Sequence, residues 1–287
     1  MSRRVEFFTD ASGAWRASLR GPWSSDLVQR LRDENVSTLA LIRTEGFRAE
    51  NLDFLGELEF LTGLLVIDGM IRNVRGIEQL PQLEYLELRT YATTPLDFSS
   101  FPKLNWCHID WIKGSESIFE CPSIEHLGIW RFSATNLQEV GNLASLRSLQ
   151  ISQGTRLTSC DDIEGCRNLT EVHLGYLPNL RSFAALGLLK NLEVLMIETC
   201  RGVDDLEFVH PLTKLKKLVI GNCKEIRSLE PTRGLDQLER LEFWESTNVL
   251  DGDMSVLLEL PRLNEARFRN RRHYSHTYEE VRTYLER

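Results

Sequence analysis

The sequence predicts an α/β fold, a solenoid of about eleven turns. A curved parallel sheet lines its concave face, short 3₁₀ or helical return segments form its convex face, and both ends are capped. Three observations predict it. A leucine-spaced segment recurs along nearly the whole chain, its period is almost constant, and non-repeating stretches with hairpin and helix signals flank it.

The strong copies are LPQLEYLEL (80–88), LASLRSLQI (143–151), LKNLEVLMI (189–197), LTKLKKLVI (212–220) and LDQLERLEF (235–243), all L-x-x-L-x-x-L-x-φ with φ apolar. Weaker copies are LEFLTGLLV (58–66), FPKLNWCHI (101–109), CPSIEHLGI (121–129), CRNLTEVHL (166–174) and LPRLNEARF (260–268), and VSTLAL (36–41) ends an outlying first one. Ten intervals span the 227 residues from position 41 to position 268, which is 22.7 per turn, and four consecutive intervals are 23. A turn of this length is a short strand plus a return segment that cannot bury its apolar side alone. Stacked turns bury it as one continuous core beneath a parallel sheet. Return segments such as NLQEVGNL and FVHPL are too short for long helices, so 3₁₀ turns or short helical pieces are expected.

The period and the L-x-x-L-x-L core resemble the leucine-rich repeat over residues 36–270. GNCKEIRSLEP (221–231) and ETCRGVDDLEF (198–208) carry cysteine where that family has an asparagine or cysteine ladder, as in the short-repeat class of internalins and plant immune-receptor repeats. The ladder departs from the pattern at Tyr91, Ile112, Phe132 and Leu177.

The ends read as caps, which an open solenoid needs. Residues 1–35 form the N-terminal cap: VEFFTD and AWRASLRG flank an Ala-Ser-Gly turn as a hairpin, and SSDLVQRLRDE follows as an amphipathic helix with a serine N-cap. Residues 36–270 form the solenoid. Residues 271–287 form a C-terminal capping helix, opened by Thr277 and Glu280 at capping-box spacing. FTDASG also resembles the first catalytic strand of ribonuclease H enzymes through Asp10, but the partner carboxylates have no counterpart once the repeats claim the chain.

Composition narrows the function. No run approaches the roughly 18 apolar residues of a membrane helix, and the N-terminus has no long apolar stretch or clear cleavage site, so no membrane is expected and a cytoplasmic location is. The formal charge of −8 disfavours phosphate-backbone binding and suits a basic partner. RFRNRR (267–272) is short and set in an acidic chain, so it reads as a solvated edge and not a nucleic-acid site. The six cysteines replace inward-facing residues and contain no CxxC, so they read as reduced core thiols. His108, Asp110 and His126 share one face and could offer three metal ligands, but no glutamate base or further ligand accompanies them, and no metal or cofactor is expected.

Aligned strands give columns of outward residues, beginning at Thr38, Gly63, Tyr85, Trp106, His126, Ser148, Glu171, Val194, Lys217, Arg240 and Glu265. Ala40, Leu65, Glu87, His108, Gly128, Gln150, His173, Met196, Val219, Glu242 and Arg267 form the next column. Tyr85, Trp106, Trp111, His126 and Trp130 fall on three adjacent strands as one aromatic patch, bordered by Arg89 and Arg131 and joined by His108 and Asp110. His173, Tyr176, Glu198 and Trp244 extend the face. Trp, Tyr and Arg are the residues that most often anchor interfaces, and an exposed apolar cluster with a polar rim marks a binding site. The competing reading is that the aromatics pack on one another to close the trough.

The expected function is therefore a non-catalytic protein that grips another protein with this patch. A sharper form is a cytoplasmic inhibitor or immunity protein against a toxin or enzyme, by fold-level analogy with ribonuclease inhibitor, a leucine-rich-repeat protein. An adaptor in a signalling assembly is an alternative. So is carbohydrate binding, since tryptophan faces stack on sugar rings. Nothing resembles a nucleophile elbow, phosphate loop or metalloprotease helix, so no enzyme is expected.

Overall fold

The computed structural model describes residues 4–9 and 15–286. Asp10 and the Ala-Ser-Gly turn lie outside these residues. The main sheet has thirteen strands that follow one another in chain order, and the chain divides into two compact units, residues 1–129 and 130–287.

In the first unit, β1 (Val5–Thr9) and β2 (Trp15–Leu19) form the expected antiparallel hairpin, with Phe7 opposite Ala17. Parallel strands follow: β3 (Thr38–Ile42), β4 (Gly63–Ile67), β5 (Tyr85–Arg89) and β6 (Trp106–Asp110), with Thr38, Gly63, Tyr85 and Trp106 in register. β7 (His126–Trp130) is the next strand, its last residue opening the second unit. Each of these parallel strands starts at the residue that heads its sequence column. Alternation explains the register: Leu86, Leu88, Cys107 and Ile109 are fully buried while Tyr85, Glu87, Trp106 and His108 are half-buried on the other side.

The helix α1 (Leu27–Asp33) buries Leu27 and Leu31, but its N-cap is Asp26, not serine. The Ser24 hydroxyl is drawn to the Asp26 carboxylate instead, and backbone carbonyls of Ser24 and Ser25 accept from Leu27 and Val28. Two further expectations fail here. Thr38 and Ala40 head outward columns yet are buried; over Thr38, the Arg16 side chain reaches across β3 and β4 to the Tyr85 ring. Tyr91 is 59% exposed and no ladder residue, because the inward position after β5 is taken one residue earlier by buried Thr90.

In the second unit, β8 (Ser148–Ser152), β9 (Glu171–Gly175), β10 (Val194–Glu198), β11 (Lys217–Gly221), β13 (Arg240–Trp244) and β15 (Glu265–Phe268) are parallel and in register, one turn apart. Two short strands, β12 (Glu225–Ile226) and β14 (Asn248–Val249), pair off the main sheet. Helix α2 (Val256–Glu259) precedes β15, and α3 (Tyr278–Leu285) closes the unit with the expected capping box of Thr277 and Glu280.

The return segments are 3₁₀ pieces such as Arg75–Gln79, Ser115–Glu120, Ala184–Leu188 and Glu207–Val209. A repeated device starts several of them: a side-chain oxygen accepts the backbone N–H two residues on, as Asn73 does for Arg75, Asp97 for Ser99, Asp205 for Glu207 and Ser228 for Glu230.

A second device ends the strands of the second unit. Arg131, Gln153, Tyr176, Thr199, Asn222 and Glu245, each one residue past a strand, all sit at φ between 53° and 59°. At the first five of these the residue that follows is buried; after Glu245 the next residue, Ser246, is exposed and Thr247 takes the inward place. Behind these residues runs the ladder: Cys200 Sγ reaches the Leu174 carbonyl at 3.6 Å, Cys223 Sγ the Ile197 carbonyl at 3.4 Å, and Thr247 Oγ1 the Ile220 carbonyl at 2.9 Å. All six cysteines are buried with free thiols.

Candidate functional site on the open sheet face

In the first unit the aromatic residues form a stack. The Tyr85 and Trp106 rings are 4.3 Å apart and 16° from parallel, and Trp106 and His108 are 3.9 Å apart at 26°. Two rings that each lie about 4 Å from the indole and nearly parallel to it would collide on one face. Tyr85 and His108 therefore cover opposite faces of Trp106. The Arg16 guanidinium lies 5.0 Å from the Tyr85 ring centroid, extending the stack by a cation–π contact. At the other end, His108 sits over Gly128 of β7, where a Cβ would meet its ring atoms at 2.5–2.8 Å.

Charge holds the stack in place. The Tyr85 hydroxyl donates to Glu87 Oε2 at 3.2 Å, and Arg89 Nε lies 3.2 Å from Glu87 Oε1. Burial first, and then the Glu87 charge, raise the Tyr85 pKa, so the phenol stays a donor. Burial, with the nearby positive charge of Arg89 and the His126 ring, lowers the His108 pKa to about 4. The imidazole is thus neutral at neutral pH and suited to stacking. Asp110 ends β6 half-buried, and His126 opens β7 half-buried. The Trp111 ring, one residue past β6, lies 5.9 Å from Phe119 of the return segment. Among the described residues no group of three His, Cys, Asp or Glu side chains converges as a metal would need.

In the second unit, Trp130 ends β7 half-buried, and Arg131 donates its backbone N–H to the Ser152 carbonyl at 2.8 Å. His173 Nε2 and Glu198 Oε2 are 2.7 Å apart across β9 and β10. Trp244 lies over Gly221, where a Cβ would come within 2.7 Å of the indole. Tyr176, at φ 56°, is 60% exposed. An ion ladder continues the face: Arg240 pairs with Glu242 and Glu265 at 2.5 Å each, and Arg267 with Glu265 at 2.6 Å. That pairing is why Glu242, an outward position, is only 9% exposed.

Sequence reasoning missed Arg16, Glu87, Gly128 and Gly221. The glycines had a signal: each stands beside an aromatic residue in the aligned columns, and an aromatic side chain can lie down only where its neighbour lacks a Cβ. Arg16 had none, because its reach over two strands to Tyr85 depends on the hairpin pairing with β3.

A parallel ladder of eleven repeat strands, 3₁₀ returns and a cysteine–threonine ladder together define a class: the chain folds as a leucine-rich-repeat protein of the short-repeat class. Its fold is similar to that of an internalin from Listeria monocytogenes, with a TM-score of 0.57 and 16% identity over 91% of this chain and 85% of that one. It is similar also to a leucine-rich-repeat protein of Leptospira interrogans (TM-score 0.58, 18% identity, 87% and 60% covered). A third similar structure is a domain of internalin J from Listeria monocytogenes, itself described as including a cysteine ladder (TM-score 0.60, 18% identity, 93% and 56% covered). In sequence, a candidate disease-resistance protein of Arabidopsis thaliana is 31% identical over 132 residues, 44% of this chain but 8% of that protein's length. No family model matches the chain.

Proposed function

We propose that this protein is a non-catalytic binder that grips a protein partner with the open face of its sheet, in the sharper form an inhibitor or immunity protein acting on a toxin or enzyme in the cytoplasm. The observation that carries the reading is the closed stack of Tyr85, Trp106 and His108. Both faces of the indole are covered, so the stack offers a partner rigid ring edges and the polar atoms of Glu87 and Arg89, not an open ring for a sugar. Rigid aromatic surface that loses little entropy on contact is what protein interfaces use as anchors. Trp130, Arg131, His173, Tyr176, Glu198 and Trp244 give the second unit a comparable face, with Asp110, Trp111 and His126 at the margins of the first. The −8 charge supports a basic partner and no nucleic acid, and six unpaired thiols support a reducing compartment.

The test is capture of a partner, its purification, and direct titration. Trp106→Ala and Trp130→Ala are each expected to weaken binding at least tenfold. Full affinity in both variants would overturn the reading, and binding restricted to oligosaccharides on a glycan array would replace it.

A further inference from the structure

The basic run RFRNRR, whose Arg267 belongs to the ion ladder of the sheet face, ends at Arg271 and Arg272 beside the small sheet of β12 and β14. There Lys224, Glu225, Asn248, Arg271, Arg272 and His273 line an open pocket of about 590 Å³ within the second unit. Three fixed cations meet one carboxylate in it, on a chain of formal charge −8. Among the described residues no carboxylate, Glu225 included, forms an ion pair with Lys224, Arg271 or Arg272.

The pocket's donors are held in place without being neutralised. Arg271 Nη2 donates to the Glu245 backbone carbonyl at 3.1 Å, which orients the guanidinium and leaves its charge uncompensated, and its Nε finds no acceptor. His273 Nε2 lies 2.9 Å from the Val249 carbonyl, so Nε2 carries the proton there. Asn248 Oδ1 accepts from the Tyr274 hydroxyl at 3.3 Å, which leaves its amide NH₂ as a donor. Lys224 stands on a left-handed turn at φ 73°.

We propose that this pocket binds a phosphate monoester. Cations converging on one concavity match a compact dianion whose oxygens each accept charge-assisted hydrogen bonds. A phosphodiester backbone instead needs cations strung along a face, and it would meet the field of an acidic protein. The monoester is carried equally well by a phosphorylated side chain or a small phosphorylated metabolite, and the test separates them.

Calorimetric titrations at constant ionic strength would compare inorganic phosphate, a phosphoserine peptide, its unphosphorylated form, and an oligonucleotide lacking terminal phosphates. Saturable binding of phosphate is expected, with the peptide binding more tightly only if flanking residues contribute. Lys224→Ala and Arg272→Ala, both exposed positions, are each expected to weaken phosphate about tenfold, whereas Arg201→Ala leaves it unchanged. No saturable heat with phosphate, or equal affinity in all variants, would overturn the proposal. An oligonucleotide that outcompetes the phosphopeptide would also overturn it and assign the pocket to nucleic acid.

Discussion

The imidazole of His108 occupies the space above Gly128, so that a methyl group there would stand 2.5 Å from Cδ2 and 2.7 Å from Nε2. No real Cβ contact is that short, so Gly128→Ala must displace the ring and open its stack on Trp106. Overpacking of this kind costs about 1–3 kcal/mol. Urea unfolding would measure it, and the Gly128→Ala/His108→Ala double variant should recover most of the loss, because the two changes act on one contact. Additive losses would show that His108 and Gly128 do not oppose each other.

The same histidine sets an acid limit on stability. Unfolded, its ring takes a proton near 6.5; folded, burial and the neighbouring Arg89 and His126 hold it back to about 4. Between those values the unfolded chain binds more protons, so lowering the pH favours unfolding. The contribution is intact above 6.5, falls as pH drops toward 4, and is flat below. His108→Gln should therefore lose less stability than the native chain between pH 6.5 and 4, by an amount on the order of 2–3 kcal/mol at the low end. Parallel pH profiles for the two proteins would refute the assignment.

Most of the fold was legible because one physical rule generates it. A fixed period plus alternation locates each strand start, and the eleven column heads from Thr38 to Glu265 are the first residues of eleven strands. What escaped was what depends on side chains meeting across turns. Trp106 and Trp111 look alike in LNWCHIDW, yet one is stacked between Tyr85 and His108 and the other leans on Phe119 of a return segment. Alternation says which side of a strand a residue leaves from, not what it then covers. The ladder shows the same limit: Cys200 and Cys223 are visible by register, whereas Thr247 and Thr90 are each shifted by one residue and come into place only through local turn geometry.

Thr247 is the ladder residue whose removal should be felt most clearly. Its hydroxyl donates to the Ile220 carbonyl at 2.9 Å and accepts from the Cys223 N–H at 3.0 Å, all of it buried. Thr247→Val keeps the shape and strips both bonds, leaving a buried donor unmet, at about 1–3 kcal/mol. Thr247→Ser should restore most of that in chemical denaturation. A valine variant as stable as the native protein would mean that the ladder hydroxyl contributes packing alone.

The thiols give a prediction that needs no variant. Burial pushes the pKa of Cys121, Cys166 and Cys223 up to about 11 and that of Cys200 to about 12, and it raises Cys107 and Cys160 as well. The reactive form is the thiolate, and at pH 8 these shifts leave it scarce even before access is considered. All six cysteines should be silent to a disulfide reagent in the folded protein, and all six should react once denaturant is added. Reaction of the native state should then follow opening of the repeats and slow with every stabilising condition. A thiol that titrates at once in the native protein would place that cysteine on the surface and break the register that puts it in the core.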